Sequence, residues 1–239
     1  MSRHESKQLK QQKIALGAGL FLVAAALVWL IILIQVETPD GEFVEGEHYF
    51  LLENPRRVRG NKIEIIEFFS YACPHCFNLE PELSDWEQDH LEIAKVIRSP
   101  LYSNELWELF ARTWFTFEEL GITEDNHYAF FAAIHSGRLN LTTAERIADW
   151  VDGKGTSKEE FLKTLTSSVI NRNLREADRL QREIMVASVP TLIVQGKYLV
   201  KGTRTIGLSR MLDVVDYLIT LESQPSQGEP AQSDPAQTQ

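Results

Sequence analysis

The chain contains 239 residues, and its 34 aspartate and glutamate side chains outnumber its 24 lysine and arginine side chains, which leaves a formal net charge of −10. Such an acidic surface argues against binding to nucleic acid and is better interpreted as a contribution to solubility. The only two cysteines lie in a single C-x-x-C unit. They are not spread through the chain, as structural disulfides would require.

The first predicted element is a membrane-spanning helix at residues 14–34. This stretch has no charged side chain, and its length matches the ~20 residues of a helix that crosses the hydrocarbon core. Basic residues precede it and acidic residues follow it, which predicts a single-pass membrane protein with residues 1–13 in the cytoplasm and the chain from about residue 35 onward outside. The alternative is a signal peptide cleaved near residue 36, but its apolar core would be shorter, about 7–15 residues.

Beyond this anchor we predict a spacer at residues 35–47, one extracytoplasmic domain at residues 48–221 and a disordered tail at residues 222–239. The domain is long enough to form a sizeable hydrophobic core. The tail (ESQPSQGEPAQSDPAQTQ) has no aliphatic side chain larger than alanine. It therefore cannot bury enough apolar surface to fold.

Apolar patterning and turn signals predict a mixed order of strands and helices within the domain. The strands are predicted at residues 49–52, 63–69, 93–98, 191–194 and 198–200. The helices are predicted from residue 73 onward and at residues 104–120, 126–135, 143–151, 157–165, 168–185 and 208–221. This order indicates an α/β fold in which a block of helices interrupts a sheet. The run at 63–69 (IEIIEFF) is typical of a strand buried on both faces.

Both cysteines lie in the motif Cys73-Pro74-His75-Cys76, directly after strand 63–69. Pro74 suits the first turn of a helix, where its missing N–H is not needed. Cys73 is then predicted to face the unpaired N–H groups and the positive dipole of the helix N-terminus. His75 adds positive charge when protonated. Stabilising the thiolate stabilises the reduced form and makes the disulfide oxidising. We expect Cys73 to be the exposed, attacked sulfur and Cys76 to be more buried.

Two other interpretations of the motif stay open. A structural zinc site would need four ligands, but the chain has no second cysteine pair and no H-x₃₋₅-H spacing among its other histidines. A permanent structural disulfide would close too short a loop to stabilise the chain much. A redox pair is favoured over both, with no metal and no cofactor.

Two further positions are candidates for the same chemistry. The Val189–Pro190 bond precedes strand 191–194, and a cis bond there would leave the Val189 backbone free to pair with an extended substrate. The alternative is an ordinary proline at the start of a strand. Glu67 lies in strand 63–69, where a buried carboxylate would have a raised pKa and could exchange protons with the inner thiol. The alternative, which the sequence supports about equally, is an edge-strand glutamate that faces water.

Residues 65–76 (IIEFFSYACPHC) resemble the active-site segment of the DsbA family of thiol:disulfide oxidoreductases. Residues 45–49 (EGEHY) resemble the beginning of that family's first strand. Residues 189–191 (VPT) and 196–198 (GKY) resemble its cis-proline hairpin. Pro81 resembles the kinking proline of thioredoxin active-site helices. The resemblance covers the whole predicted domain, and CPHC with a late Val-Pro is much more specific than C-x-x-C alone.

The resemblance implies a thioredoxin fold with a helical domain inserted at about residues 104–187. It implies that Cys73 is the nucleophile, that Cys76 is its partner, that His75 tunes the pair and that Val189-Pro190 contacts the substrate. The substrates would be exported cysteine-containing polypeptides, and a membrane quinone reductase of the DsbB type would be the reoxidant. The anchor and the tail depart from the family, whose members are usually soluble.

Two rival functions remain. A disulfide isomerase or reductase would use the same residues in their reduced form, although isomerases usually add a dimerisation domain for which the spacer is too short. A tethered chaperone or binding module would carry the disulfide incidentally. The reduction potential separates the first rival from an oxidase, and replacement of Cys73 separates the second.

Overall fold

The computed structural model describes residues 43–223. The predicted membrane helix at residues 14–34 lies outside the described residues, as does the predicted tail from residue 224 onward. Among residues 43–223, no helix is both long enough and apolar enough to cross a membrane.

Within residues 43–223, strands and helices follow one another in the order predicted from the sequence. The strands are β1 (Phe50–Leu51), β2 (Ile63–Phe69), β3 (Ala94–Pro100), β4 (Thr191–Val194) and β5 (Tyr198–Lys201). The helices are α1 (Pro74–Asp89), α2 (Glu105–Leu120), α3 (Thr123–His135), α4 (Ala144–Val151), α5 (Lys158–Leu165), α6 (Ser168–Ile184) and α7 (Met211–Ser223).

The predicted element boundaries are wrong by a few residues at several ends. The loop between α2 and α3 is shorter than predicted, because α3 begins at Thr123 and not at residue 126. Helix α2 ends as predicted, at Gly121 in the left-handed conformation with φ of 67°. The last helix begins with a 3₁₀ turn at Leu208–Arg210 and continues to Ser223, two residues into the predicted tail. Helix ends depend on such local caps, which hydrophobic periodicity does not resolve.

The strands form one sheet in the order β1-β5-β4-β2-β3. Strand β2 runs parallel to β3 and antiparallel to β4 and is therefore an interior strand. Its apolar sequence follows from this position, since its side chains enter hydrophobic clusters on both faces. Ile65 packs into the cluster with α1 and α7, whereas Phe68 packs into a cluster with the end of α6.

The helices α2–α6 pack around an aromatic cluster that extends to the redox motif. Both cysteines belong to this cluster. Its large buried aromatic side chains are Phe69, Tyr71, Phe110, Trp114, Phe115, Phe117, Phe130, Phe131 and Phe161. The inserted helices therefore form part of the packing around the two thiols.

Helix α1 lies between two hydrophobic clusters. Cys76 points into the aromatic cluster, while Leu79 and Leu83 point into the cluster formed with the sheet and α7. Burial on both sides holds the helix, and with it the position of its N-terminus next to β2.

Candidate active site

The redox motif lies where β2 turns into α1. Cys73 is the N-cap of α1, in an extended conformation, and Pro74 takes the first helical position. The backbone N–H of Cys76 donates to the Cys73 Sγ at 3.3 Å. The helix therefore begins where the motif predicts, and its free N–H groups face the Cys73 sulfur.

The two thiols differ in their access to solvent. Both are free cysteines in this structure. Cys73 is only 7% exposed, and Cys76 is completely buried. The expected order of burial is confirmed, but the expectation of an openly exposed Cys73 is wrong, because the aromatic cluster and Val189 pack around the sulfur. The neighbouring Pro74 and His75 are the exposed residues of the motif.

The surroundings shift the pKa values of the two thiols in opposite directions. A hydrogen bond from the Cys76 thiol, the backbone N–H groups of Cys76 and His75, and the charge of His75 together outweigh burial and lower the pKa of Cys73 to about 6. Burial raises the pKa of Cys76 well above its usual range, and the hydrogen bond to Cys73 and the charges of Cys73 and Glu67 add to this. Near pH 7 the reduced pair is thus a Cys73 thiolate beside a Cys76 thiol.

The loop before β4 meets the motif across a long stretch of sequence. The Val189–Pro190 peptide bond is cis, which is one of the two alternatives that the sequence left open. The Val189 carbonyl lies 3.6 Å from the Cys73 Sγ, 116 residues away along the chain. Thr191, the first residue of β4, donates its hydroxyl to the carbonyl of Ser188 at 2.8 Å and so holds the loop in place.

Glu67 is completely buried and lies in the interior of the sheet. In register it pairs with Arg98 of β3 and Leu192 of β4, so the interpretation as an edge-strand glutamate is wrong. Burial, reinforced by the charge of Glu80, raises the Glu67 pKa to about 8. Among the described residues, neither carboxylate oxygen has a hydrogen-bond partner. The nearest charge is Arg98, whose Nε lies 3.5 Å from Oε2.

Arg98 links three carboxylates beneath the motif, a cluster that sequence reasoning missed. Besides approaching Glu67, it forms ion pairs of 2.9 Å with Glu80 and with Glu87 of α1. The sequence contained a signal for this cluster, because Glu80 is four residues after Cys76 and three before Leu83. That spacing places a charged residue on the buried face of α1, where it needs a partner.

Two histidines of α3 hold Tyr71, two residues before Cys73. His127 Nδ1 lies 2.8 Å from the Tyr71 hydroxyl, and its Nε2 lies 3.1 Å from Glu80. His135 Nε2 lies 2.9 Å from the Tyr71 carbonyl, and its ring stacks on Phe77 with 5.0 Å between centroids. The inserted helices thus contact both the side chain and the backbone of the active-site turn.

Burial and contact between these groups determine the protonation states of Tyr71, His127 and Glu80. Burial raises the pKa of Tyr71 and lowers that of His127, so the hydroxyl keeps its proton and the imidazole is neutral. Burial alone would raise the pKa of Glu80, but contact with His127 and the charge of Arg98 bring it down to about 2. The Tyr71 hydroxyl then donates to Nδ1, and the Nε2 proton faces the Glu80 carboxylate.

No group of three or more histidine, cysteine or carboxylate side chains within residues 43–223 is arranged to hold a metal ion. The chemistry that the described site can perform is exchange between a thiolate and a disulfide. Cys73 is the less buried of the two cysteines, and Cys76 lies behind it.

Comparison with known proteins agrees with this chemistry. The family profile named DSBA-like thioredoxin domain matches residues 104–218. The thiol:disulfide interchange protein DsbA of Pseudomonas aeruginosa is 33% identical over 202 residues, which cover 84% of this chain and 96% of that protein. The protein of the same name from Pseudomonas syringae is 33% identical over 204 residues, 84% of this chain and 94% of that protein.

Solved structures agree as well. The crystal structure of Pseudomonas aeruginosa DsbA superimposes with a TM-score of 0.70 at 35% identity, covering 75% of this chain and 94% of that one. The oxidoreductase DsbA from Xylella fastidiosa gives a TM-score of 0.69 at 26% identity, covering 76% of this chain and 97% of that one.

Proposed function

Because the chain belongs to the DsbA family and is a thiol:disulfide oxidoreductase, we propose that it introduces disulfides into exported polypeptides by exchange at Cys73 and Cys76. The opposite pKa shifts of the two thiols are the observation that carries this proposal. A reduced form with a stabilised thiolate is favoured, and the disulfide form is correspondingly a strong oxidant.

The reaction begins with the Cys73–Cys76 disulfide. A substrate thiolate attacks the Cys73 sulfur, the bond between the two cysteines breaks, and Cys76 leaves as a thiolate that takes up a proton. A second substrate thiolate then attacks the substrate sulfur of this mixed disulfide, which forms the new disulfide and releases the Cys73 thiolate. Two electrons pass from the substrate to the cysteine pair. The low pKa of Cys73 makes it a good leaving group in the second step.

Pro74 and His75 tune the pair in this proposal. Pro74 has no N–H, and at the first helical position it directs the N–H groups of the next two residues to the Cys73 sulfur. His75 contributes one of these N–H groups and the charge of its ring.

Glu67 is proposed to exchange protons with Cys76. Its complete burial and its pKa of about 8 support this role, because a carboxyl group with this pKa can both give and accept a proton near neutral pH. Two electrostatic effects support the same role. The charge of Cys73 helps to raise the pKa of Glu67, and the charge of Glu67 helps to raise the pKa of Cys76.

The loop at Val189 and Pro190 is proposed to contact the substrate backbone. Support comes from the 3.6 Å separation between the Val189 carbonyl and the Cys73 sulfur. A substrate sulfur bonded to Cys73 must lie close to this loop, so the residues beside the substrate cysteine can pair with it.

The proposed location is the outer face of the bacterial inner membrane. Residues 14–34 would anchor the chain, residues 35–47 would connect the anchor to a catalytic domain that extends to the end of α7, and a tail would follow from residue 224. A membrane quinone reductase of the DsbB type is proposed to restore the disulfide. The apolar run, its basic flank and the family membership support these statements.

The reduction potential, measured by equilibration with glutathione, tests the proposed direction of the reaction. An oxidase is expected to have a value clearly more positive than the about −270 mV of thioredoxin. A value near that of thioredoxin would identify a reductase instead.

Trapping in cells tests the substrate class. The Cys76→Ala variant lacks the internal thiol that would attack Cys73 and release a polypeptide bonded to it, so acid-quenched cells should contain exported polypeptides linked to Cys73. The control, Cys73→Ser with Cys76 intact, should trap far fewer of them. A Cys76→Ala sample without linked polypeptides would contradict the proposal, as would full function of Cys73→Ser in cells.

A further inference from the structure

The loop that leads into β2 is strongly basic, although the chain as a whole is acidic. Residues 54–63 (NPRRVRGNKI) contain four basic side chains and no acidic one, whereas the net charge of the chain is −10. The four basic residues, which we call the basic loop, are Arg56, Arg57, Arg59 and Lys62. A local charge opposite in sign to that of the whole protein favours an anionic partner at this surface.

One end of the basic loop is fixed to the sheet. The backbone N–H of Arg56 donates to the carbonyl of Gly196, in the turn between β4 and β5, at 2.8 Å. The Arg56 guanidinium pairs with Glu64 of β2 at 2.8 Å. The loop packs so closely on the turn that a Cβ atom at Gly196 would lie 2.7 Å from the Arg56 carbonyl oxygen. The loop therefore has a defined place on the surface.

The other three charges of the basic loop are available to a partner. Within residues 43–223, Arg57 and Arg59 are exposed and make neither an ion pair nor a side-chain hydrogen bond. Lys62 donates to the backbone carbonyl of Leu91. That acceptor carries no charge, so the positive charge of the ammonium group is not neutralised.

Exposed apolar side chains lie beside the basic loop. The N–H of Ile63 donates to the carbonyl of Ile93 at 2.8 Å, which brings residues 91–93 next to the loop. Leu91 is 46% exposed and Ile93 is 49% exposed, and Glu92 between them is the one carboxylate of this segment. Basic and apolar side chains on one surface are typical of proteins that bind the headgroup region of a bilayer.

The basic loop and the redox motif lie at opposite ends of β2. The loop enters the strand at Ile63, and the motif follows its end at Phe69, so the strand separates them by roughly 20 Å. Strand β3 runs parallel to β2, and residues 91–93, which precede β3, therefore lie at the loop end as well. A surface bound to the basic loop would leave the motif on the far side of the domain.

A short connection would keep the bilayer within reach of the domain. The predicted anchor ends at residue 34, and the described residues begin at 43. The residues between them span at most about 30 Å when fully extended. A globular domain of this length is roughly 40 Å across. An anchored domain thus cannot leave the membrane by its own diameter, and its surface charges stay close to the lipid headgroups.

We propose that the basic loop, together with Leu91 and Ile93, binds the anionic surface of the bilayer that holds the chain, and that this contact turns the redox motif toward the exported polypeptides. The inference rests on the proposed membrane location and adds an orientation to it. Each basic residue contributes only a modest attraction, which salt screens. The contact is therefore reversible, and the domain can also turn its motif toward a membrane reoxidant.

Trypsin measures this contact, because it cleaves after arginine and lysine and the basic loop is itself a substrate. The full-length chain is inserted into nanodiscs of phosphatidylcholine, alone or in a two-to-one mixture with phosphatidylglycerol. We expect cleavage within the basic loop to be about tenfold slower in the anionic nanodiscs, and about 1 M salt should remove the difference. The internal reference is Arg204, an exposed residue beyond the motif-side end of β5, where both nanodiscs should give the same rate.

Two pairs of substitutions assign the protection to the basic loop. Arg57→Gln with Arg59→Gln removes two free charges and leaves Lys62 as a cleavage site, where the protection should fall to about twofold or less. Arg172→Gln with Arg175→Gln is the matched control. These two arginines of α6 are also exposed and have no ion pair among the described residues. The control should keep a protection of about tenfold.

The outcomes separate this inference from the proposals on which it rests. Equal cleavage of the loop in both lipids, or protection that survives the change of Arg57 and Arg59, would show that the loop does not bind the bilayer. Protection by soluble polyglutamate but not by anionic nanodiscs would identify an acidic polypeptide as the partner and would also overturn the inference. If the chain does not stay with the nanodiscs, the proposed anchor is wrong and the contact is lost with it, whereas thiol exchange at Cys73 is unaffected.

Discussion

Within the CPHC motif, one hydrogen bond helps to shift the pKa values of two identical side chains in opposite directions. The Cys76 thiol is the largest contributor to the low pKa of Cys73, ahead of the backbone N–H groups and the charge of His75. Cys76 itself is buried and keeps its proton. The reactive thiolate therefore depends on its partner before any disulfide is formed.

This dependence predicts different effects for two substitutions of Cys76. Cys76→Ala removes the donor and should raise the pKa of Cys73 from about 6 by roughly one unit. Cys76→Ser keeps a hydroxyl donor and should raise it less. The measurement is thiolate absorbance near 240 nm against pH. A Cys73 pKa that stays at about 6 in both variants would contradict a contribution from the Cys76 side chain.

Glu67 makes the stability of the protein depend on pH in an unusual direction. Its pKa rises from 4.5 to about 8 on folding, so its contribution is complete below pH 4.5 and is lost as the pH rises through 8. In the reduced protein Cys73 acts in the opposite sense, because its pKa falls from 9.0 to about 6 on folding. Cys73 therefore adds stability as the pH rises from about 6 to 9.

The oxidised protein isolates the contribution of Glu67, since no thiol titrates. Between pH 5 and pH 8 we expect its free energy of unfolding to fall relative to that of Glu67→Gln, with a limiting slope of about 1.4 kcal/mol per pH unit. Urea unfolding of both proteins at the two pH values measures the difference. Parallel pH profiles of the two proteins would contradict a buried, protonated Glu67.

At the scale of secondary-structure elements, contact between α1 and α3 is the clearest link between the redox motif and the inserted helices. His127 of α3 meets Glu80 of α1 and also the Tyr71 hydroxyl at the end of the active-site turn. Aromatic rings surround it, including Trp114 with 4.8 Å between centroids. A buried polar group in such surroundings must keep its partners.

A double-mutant cycle tests this link. His127→Phe and Tyr71→Phe should each destabilise the protein by about 1–3 kcal/mol, because each leaves a buried polar group unpaired. The double variant should lose about 1 kcal/mol less stability than the sum of the losses in the two single variants. As a control, Tyr198→Phe removes a different tyrosine hydroxyl, which donates to Glu222 at 2.8 Å. Its destabilisation should be additive with that of His127→Phe to within about 0.5 kcal/mol. Additivity of the Tyr71 and His127 changes would exclude an energetic link.

At the scale of the whole molecule, residues 14–34 decide where the redox site works. An intact anchor would hold the site at the membrane surface, near the proposed membrane reoxidant. A cleaved signal peptide would release it. The described residues do not include this segment, so the evidence for the anchor is the length of its apolar run and the charges on its flanks.

Fractionation tests the anchor. The full-length chain should stay in the membrane pellet after an alkaline carbonate wash and should be released by detergent. The pair Val23→Arg and Leu27→Arg should weaken insertion, since each arginine at the centre of a helix costs about 2.5–3.5 kcal/mol. The pair Val23→Ile and Leu27→Ile is the control and should behave like the unchanged chain. Recovery of a soluble chain that starts near residue 36 would establish the cleaved signal peptide.

Local patterns predicted much of the fold and the centre of the site. The apolar run at β2 predicted a strand that is buried on both faces, and Pro74 after Cys73 predicted where α1 begins. Both predictions were confirmed. They succeeded because strand burial and helix initiation depend mainly on residues that are neighbours in the chain.

The sequence by itself thus determined where the C-x-x-C pair lies and the order of the strands and helices. It also indicated Glu67 as a candidate site residue, but it could not decide whether this carboxylate is buried or faces water. Only the tertiary structure decided that β4 pairs with β2 and makes it an interior strand at Glu67. It also decided that the Val189 carbonyl lies close to the Cys73 sulfur and that Arg98 contacts three carboxylates. The physical reason is the same in each case. Burial and pKa values depend on groups brought together from distant parts of the chain, and no local pattern records which of them meet.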